Sequence, residues 1–175
     1  MMKLGKLTFE PAANHIDLVS TSVKKLATED DSILVAEIDP SLSDTAAFCE
    51  HYGIGMEQSA NCVIVEAKRA ERTWYAACIV LATTRADING IVRRHLDARR
   101  VSFAPVDKAV EMTGMAFGAI TPIGLPDDIP ILIDTQVTQT DYVVVGSGVR
   151  ESKLLVKPEV LTKLPNAVVM DIVKA

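Results

Sequence analysis

The sequence predicts an α/β domain in which a mixed β-sheet is flanked by helices. Short β-like runs and helical stretches mix along the chain without strict alternation, which argues against a purely parallel, doubly wound sheet. The run 73–82 (TWYAACIVLA) is apolar on both faces, as a central strand covered from both sides must be. The chain has 175 residues, about one domain, and 49% of them are hydrophobic, enough for a core.

Residues 1–31 read as an N-terminal extension that ends in the acidic run Glu29-Asp30-Asp31. Ser32 to Ile38 is a short β-like run. A helix is expected over 43–52, with Ser43 or Asp44 as its cap and Gly53 just past its end. Residues 62–66 (CVIVE) form the next strand, and 73–82 the central one. Asp87 can cap a helix over 88–98, where Ile88, Ile91, Val92 and Leu96 fall on one apolar stripe. A short helix over 105–113 has Pro105 in its first turn and Gly114 at its end. The Gly- and Pro-rich stretch 114–130 should be an ordered loop. Strands follow at 131–134, 142–146 and 153–156, then a helix over 158–164 and a closing strand over 167–173.

Composition excludes several classes. Charged residues make up 23% of the chain, which rules out wholesale disorder. The net charge is −5 and the pI near 5.2, so the protein is not basic all over. A local basic patch for nucleic acid stays open. Aromatics are 5%, too few to stack many bases in series. Cys49, Cys62 and Cys78 are an odd set without tight spacing, so neither a disulfide framework nor a Cys-x-x-Cys metal or redox motif exists. The N-terminus lacks the apolar stretch of a secretory signal. The longest apolar run, Trp74 to Ala82, is too short to span a bilayer. A soluble, cytoplasmic, single-domain protein of residues 1–175 is expected.

Two motifs could carry chemistry. Gly114 to Pro126 (GMAFGAITPIGLP) has glycines that leave backbone N–H groups unshielded and admit a ligand closely. Such a loop can supply donors to an oxyanion, a ribose or a phosphate, or it can be a tight connection with no ligand. Gly146-Ser147-Gly148-Val149-Arg150 follows a strand, yet it is no Walker loop, since no Gly-Lys-Ser/Thr follows. Glu151 also stands where a dinucleotide fingerprint needs its third glycine.

In order, these parts resemble the YbaK/prolyl-tRNA synthetase-associated editing domains over about residues 44–164. The helix over 43–52 leads to the strand at 62–66. The helix over 105–113 runs into Gly114, then into the Gly-x-x-x-Pro loop at Gly118 to Pro122 and Ile123-Gly124-Leu125. A strand ending in Asp134 and the glycine pair Gly146 and Gly148 complete the series.

The resemblance implies one mixed α/β domain that hydrolyses the ester between a wrong amino acid and tRNA, without metal or other cofactor. Its substrate would be the acceptor end of a mischarged aminoacyl-tRNA of the Ala, Cys or Ser type. An aminoacyl-tRNA synthetase is a further expected partner; a membrane is not, and the oligomeric state is open. Catalytic roles would fall to Asn61, Gly118 and Thr121. Substrate would be held by Gly114, Ala119, Ile120, Pro122, Asp134, Gly146, Ser147 and Gly148. One departure is plain: Asn61 stands where the family usually has a lysine. Asn61 could do a weaker version of the job, Lys68 or Arg69 could reach in, or the protein could bind tRNA ends, a nucleotide or a partner protein without hydrolysis.

Arg93, Arg94, Arg99 and Arg100 make a locally basic segment that could face the tRNA backbone or simply solvent. His95 lies at the margin of the apolar stripe, where a partly buried structural role is expected. Cys49 and His51 make a poor dyad on one helix. Cys62 is the one thiol that could serve a small-molecule ester or amide hydrolase. Asp134 could face a ligand or anchor a loop.

Overall fold

The computed structural model describes residues 1–174. A hairpin opens the chain: β1 (Met2–Leu4) and β2 (Leu7–Pro11) turn at Gly5, whose φ of +55° suits a residue without a Cβ. After two short 3₁₀ turns comes α1 (Thr21–Glu29), which buries Val23 and Ala27, four residues apart on one face. β3 (Leu34–Glu37) pairs with β2. Residues 1–31 are joined to the rest of the domain by this strand pairing and by burial. Phe9, Ala12, Val23 and Ala27 are wholly buried.

α2 (Thr45–Tyr52) stops at Gly53 in the left-handed conformation, as the sequence predicts. β4 (Ala60–Arg69) and β5 (Arg72–Leu81) form a long hairpin paired from Ala60–Leu81 to Arg69–Arg72; β4 is longer than the predicted 62–66, while β5 matches the predicted 73–82 shifted by one residue. The predicted helix over 88–98 is reduced to a π-helical turn over Ile88–Val92 that runs into α3 (Arg93–His95). Asp87 does cap it, accepting from the Ile91 N–H at 3.3 Å, and Asp97 at φ +53° ends the stretch. β6 (Arg100–Phe103) then flanks β4.

α4 (Val106–Thr113) precedes the Gly/Pro loop. β7 (Ile131–Asp134) lies parallel to β5. β8 (Val143–Gly146) and β9 (Ser152–Val156) pair antiparallel, α5 (Pro158–Thr162) follows, and β10 (Ala167–Met170) pairs parallel with β7. The strands sort into two sheets in place of one: β1-β2-β3-β9-β8, antiparallel throughout, and β10-β7-β5-β4-β6, which mixes parallel and antiparallel pairs. The central core lies between them, with Val145 and Leu154 from the first sheet meeting Ile64, Ile79 and Ile133 from the second. α2 covers the outer face of the first sheet through Phe48 and Cys49. Among the described residues, no helix is long and apolar enough to cross a membrane.

Candidate functional site

The two sheets meet at a single parallel bridge, Ser59 to Val144. Beside it lies a cavity of about 650 Å³, in the size range of small-molecule sites. The start of α2, residues 60–64 of β4, the Gly/Pro loop and the end of β8 form its walls, together with Lys153 from β9. Phe103, Val106 and Phe117 also border it, and they are among the most exposed large apolar side chains of the protein, the two rings at 66% and 60%. An apolar collar therefore surrounds a partly polar interior.

Asn61 is the second residue of β4. Its Oδ1 accepts from the Thr45 hydroxyl at 2.6 Å, which fixes the side chain and leaves its amide N–H groups as donors. Cys62 borders the cavity and packs on the central core. Burial pushes its thiol above the ordinary range and that of Cys78 up to about 12, so neither is a thiolate near neutral pH. A hydrolase built on Cys62 has no activated nucleophile here.

The Gly/Pro loop is held from three sides. The Ser43 hydroxyl donates to the Gly118 carbonyl at 3.2 Å. Arg150 donates to the carbonyls of Phe117 at 3.0 Å and Pro40 at 3.2 Å. The turn after β8 interlocks with it: the Gly148 N–H donates to Ala119 O at 2.8 Å, and the Ala116 N–H to Gly148 O at 2.9 Å. A Cβ at Gly146 would stand 2.5 Å from the Ala119 carbonyl oxygen, so only glycine lets β8 lie against the loop. Gly118 has a φ of +84°. Held this way, the loop keeps backbone donors unused: among the described residues, the N–H groups of Phe117, Gly118, Ile120, Ile123 and Gly124 have no protein acceptor. Of these, Phe117, Gly118 and Ile120 border the cavity.

Of the residues expected in the site, Asn61, Gly118, Ile120 and Gly146 do border one cavity. The others stand behind it. Thr121 is wholly buried, its N–H directed at Met115 Sδ (3.4 Å) and its hydroxyl without a partner. Ala119 and Pro122 are buried in the same turn, and Gly114 ends α4 in the left-handed conformation. Asp134 is an anchor: it accepts from the Gln136 N–H at 3.1 Å and the Ile172 N–H at 2.9 Å. Ser147 is bonded to the Val149 and Ser152 carbonyls within its own turn. These residues shape the loop and lie off the cavity wall.

The basic residues gather elsewhere. Arg93 and Arg99 border a depression with Arg69 at the far end of β4, and Arg94 and Arg100 are exposed nearby. Seven residues of strand separate Asn61 from Lys68, about 23 Å. Lys68 pairs with Glu66 and Arg69 with Asp97, so neither reaches the cavity. His95 is exposed, against the expectation of partial burial, because the helix ends beside it. Sequence reasoning passed over Lys153, Thr45 and the collar of Phe103, Val106 and Phe117.

A sequence model of the aminoacyl-tRNA editing domain matches residues 39–164. The chain belongs to that family. It is an editing domain of the aminoacyl-tRNA deacylase type, a hydrolase of the aminoacyl ester, as the order of its motifs implied. Solved structures agree on the fold. A candidate trans-editing enzyme for prolyl tRNA synthetase superposes with a TM-score of 0.74 at 19% identity, covering 96% of this chain and 100% of its own. A hypothetical protein reaches 0.77 at 20% identity, covering 87% of this chain and 99% of its own. A candidate signal transduction protein from Marinobacter aquaeolei VT8 reaches 0.59 at 14% identity, with this editing domain covering 30% of that longer chain.

Proposed function

We propose that this editing domain acts in trans on misacylated tRNA, removing small acyl groups of the alanyl, cysteinyl or seryl type by attack of water on the ester carbonyl. The observation that carries the reading is the set of unused N–H groups at Phe117, Gly118 and Ile120, residues that border the same cavity as Asn61. Backbone donors fixed before the reaction stabilise charge as it develops on a carbonyl oxygen, because they need no reorganisation at that moment. Asn61, locked by Thr45, holds a polar group of the substrate. Thr121 supports the loop from beneath and does not touch substrate.

The cavity volume suits a terminal adenosine with a small aminoacyl group, and apolar Val63, Ile64 and Val145 favour one with an uncharged side chain. Phe103 and Phe117 offer two faces at the mouth on which the unpaired bases of an acceptor end can stack. Arg93, Arg94, Arg99 and Arg100 would then meet phosphates of the stem, set back from the ester by the length of β4. A synthetase that charges the same tRNA is the expected protein partner, in keeping with the likeness to the candidate enzyme for prolyl tRNA synthetase.

The test is deacylation under enzyme excess with Ala, Cys and Ser on tRNA for proline. Hydrolysis of at least one supports the reading. A folded protein that binds these tRNAs without cleaving them would overturn it and leave a binding module.

A further inference from the structure

Lys153 has no part in the reading so far. It is 6% exposed, borders the cavity, and donates from Nζ to the Ser43 carbonyl at 2.8 Å. Its ammonium lies 5.4 Å from the centre of the Phe48 ring. An ammonium carries three donors. Among the described residues, Lys153 has no second hydrogen-bond acceptor and no carboxylate in salt-bridge range. Buried cations are normally paired, because desolvation is costly. A cation left with spare donors at the wall of a cavity is built to meet an oxygen that arrives from outside.

The surroundings narrow which oxygen. Asp44 and Lys153 are the charged residues on the cavity wall. Ser43, which accepts from Lys153, also donates to Gly118, so one residue ties the ammonium to the loop that carries the unused N–H groups. Asp44 before α2, Cys49 on α2 and Arg150 after β8 act on the amine from a distance. Burial, aided by the like charge of Arg150, outweighs Cys49 and Asp44 and lowers its pKa to about 8, which leaves it protonated at neutral pH.

We propose that Lys153 is a catalytic residue whose ammonium meets the ester carbonyl oxygen and stabilises the negative charge that gathers there as water adds. The inference rests on the deacylase reading of the cavity. The water oxygen bonds to the carbonyl carbon while the C=O π pair moves onto oxygen. The pair then returns, the bond from carbon to the ribose oxygen breaks, and that oxygen takes the proton the water has lost. The products are the free amino acid and tRNA with its hydroxyl restored. Lys153 keeps its protons throughout.

The test compares wild type with Lys153→Met and Lys153→Gln in single-turnover deacylation and in binding of two probes. One probe is an amide-linked alanyl adenosine, a ground-state mimic; the other is its phosphonate counterpart, a tetrahedral anion. Loss of one such donor is worth about 10²–10³-fold in rate. We expect that loss at saturating enzyme, a similar weakening of phosphonate binding, and less than threefold change for the amide. The rate advantage of wild type over Lys153→Gln should shrink as pH rises through about 8. Lys153→Gln keeps a donor for Ser43 without the charge, so it covers the case in which Lys153→Met does not fold. An active wild type with equally active variants overturns the inference alone, as does equal weakening of both probes. A wild type inactive on every aminoacyl-tRNA overturns the deacylase reading and the inference together.

Discussion

The Thr45 hydroxyl donates to Asn61 Oδ1 at 2.6 Å, joining the first turn of α2 to the start of β4. The bond sets which way the Asn61 amide faces, so its loss should be felt in the chemistry. Thr45→Val, which keeps the shape and removes the hydroxyl, should slow deacylation about fivefold, the worth of about 1 kcal/mol. Asn61→Ala should slow it at least tenfold. The double variant should be no slower than Asn61→Ala, since the two residues act as one unit. Additive losses in single-turnover rates would refute the coupling.

Gly118 and Gly53 both have a left-handed backbone, at φ +84° and +68°, but only one of them borders the cavity. Alanine costs about 1–2 kcal/mol at either position. At Gly53 a Cβ meets nothing within 4 Å, whereas at Gly118 it stands 2.5 Å from Arg150 Nη1, which clamps the loop. Gly53→Ala should therefore lower thermal stability and leave the deacylation rate alone. Gly118→Ala should lower both, with the rate down more than tenfold.

Phe103 and Phe117 should matter for capture more than for chemistry. Stacking of a base on an aromatic ring is worth about 1–3 kcal/mol. Phe103→Ala and Phe117→Ala should each raise the enzyme concentration needed for half-saturation about 5- to 100-fold and keep the saturated rate. Substitution of Arg94 or Arg100 should instead reduce the salt dependence of binding by about one unit of slope per lost phosphate contact. Titrations of tRNA binding at several salt concentrations separate the two effects.

Lys153 should make the folded protein less stable at neutral pH than it need be. Its pKa falls from 10.5 to about 8 on folding, equivalent to about 3 kcal/mol. The sign follows from proton counts: between pH 8 and 10.5 the unfolded chain binds more protons at this site, so stability contributed here rises with pH. Below pH 8 both states are protonated and the penalty is full. Urea unfolding of Lys153→Met and wild type should show the variant favoured near pH 7, with the gap shrinking by about 2–3 kcal/mol toward pH 10.5. A gap that stays constant would contradict it.

Most helices and strands are visible in local sequence, because periodicity and glycine stops are local signals. α4 with Gly114 and α2 with Gly53 are examples. The full length of the β4–β5 hairpin is not visible, since its turn places Ala70 at φ +53° where the sequence offers no Gly or Asn. The N-terminal hairpin alternates for only a few residues, too short a run to stand out, yet Phe9 is wholly buried. The candidate site divides the same way. Asn61 and Gly118 follow from motif order, while Thr121 and Asp134 share those motifs but face inward. Lys153 sits in an ordinary run, SKLLV, and becomes a cavity residue only because β9 lies between β3 and β8.

The most direct measurement is single-turnover hydrolysis of alanyl-tRNA for proline by wild type and Asn61→Ala, with both proteins checked for folding. Wild type should release alanine, and the variant should release it at least tenfold more slowly. Equal rates, or release by neither while the tRNA is bound, would contradict catalysis in this cavity.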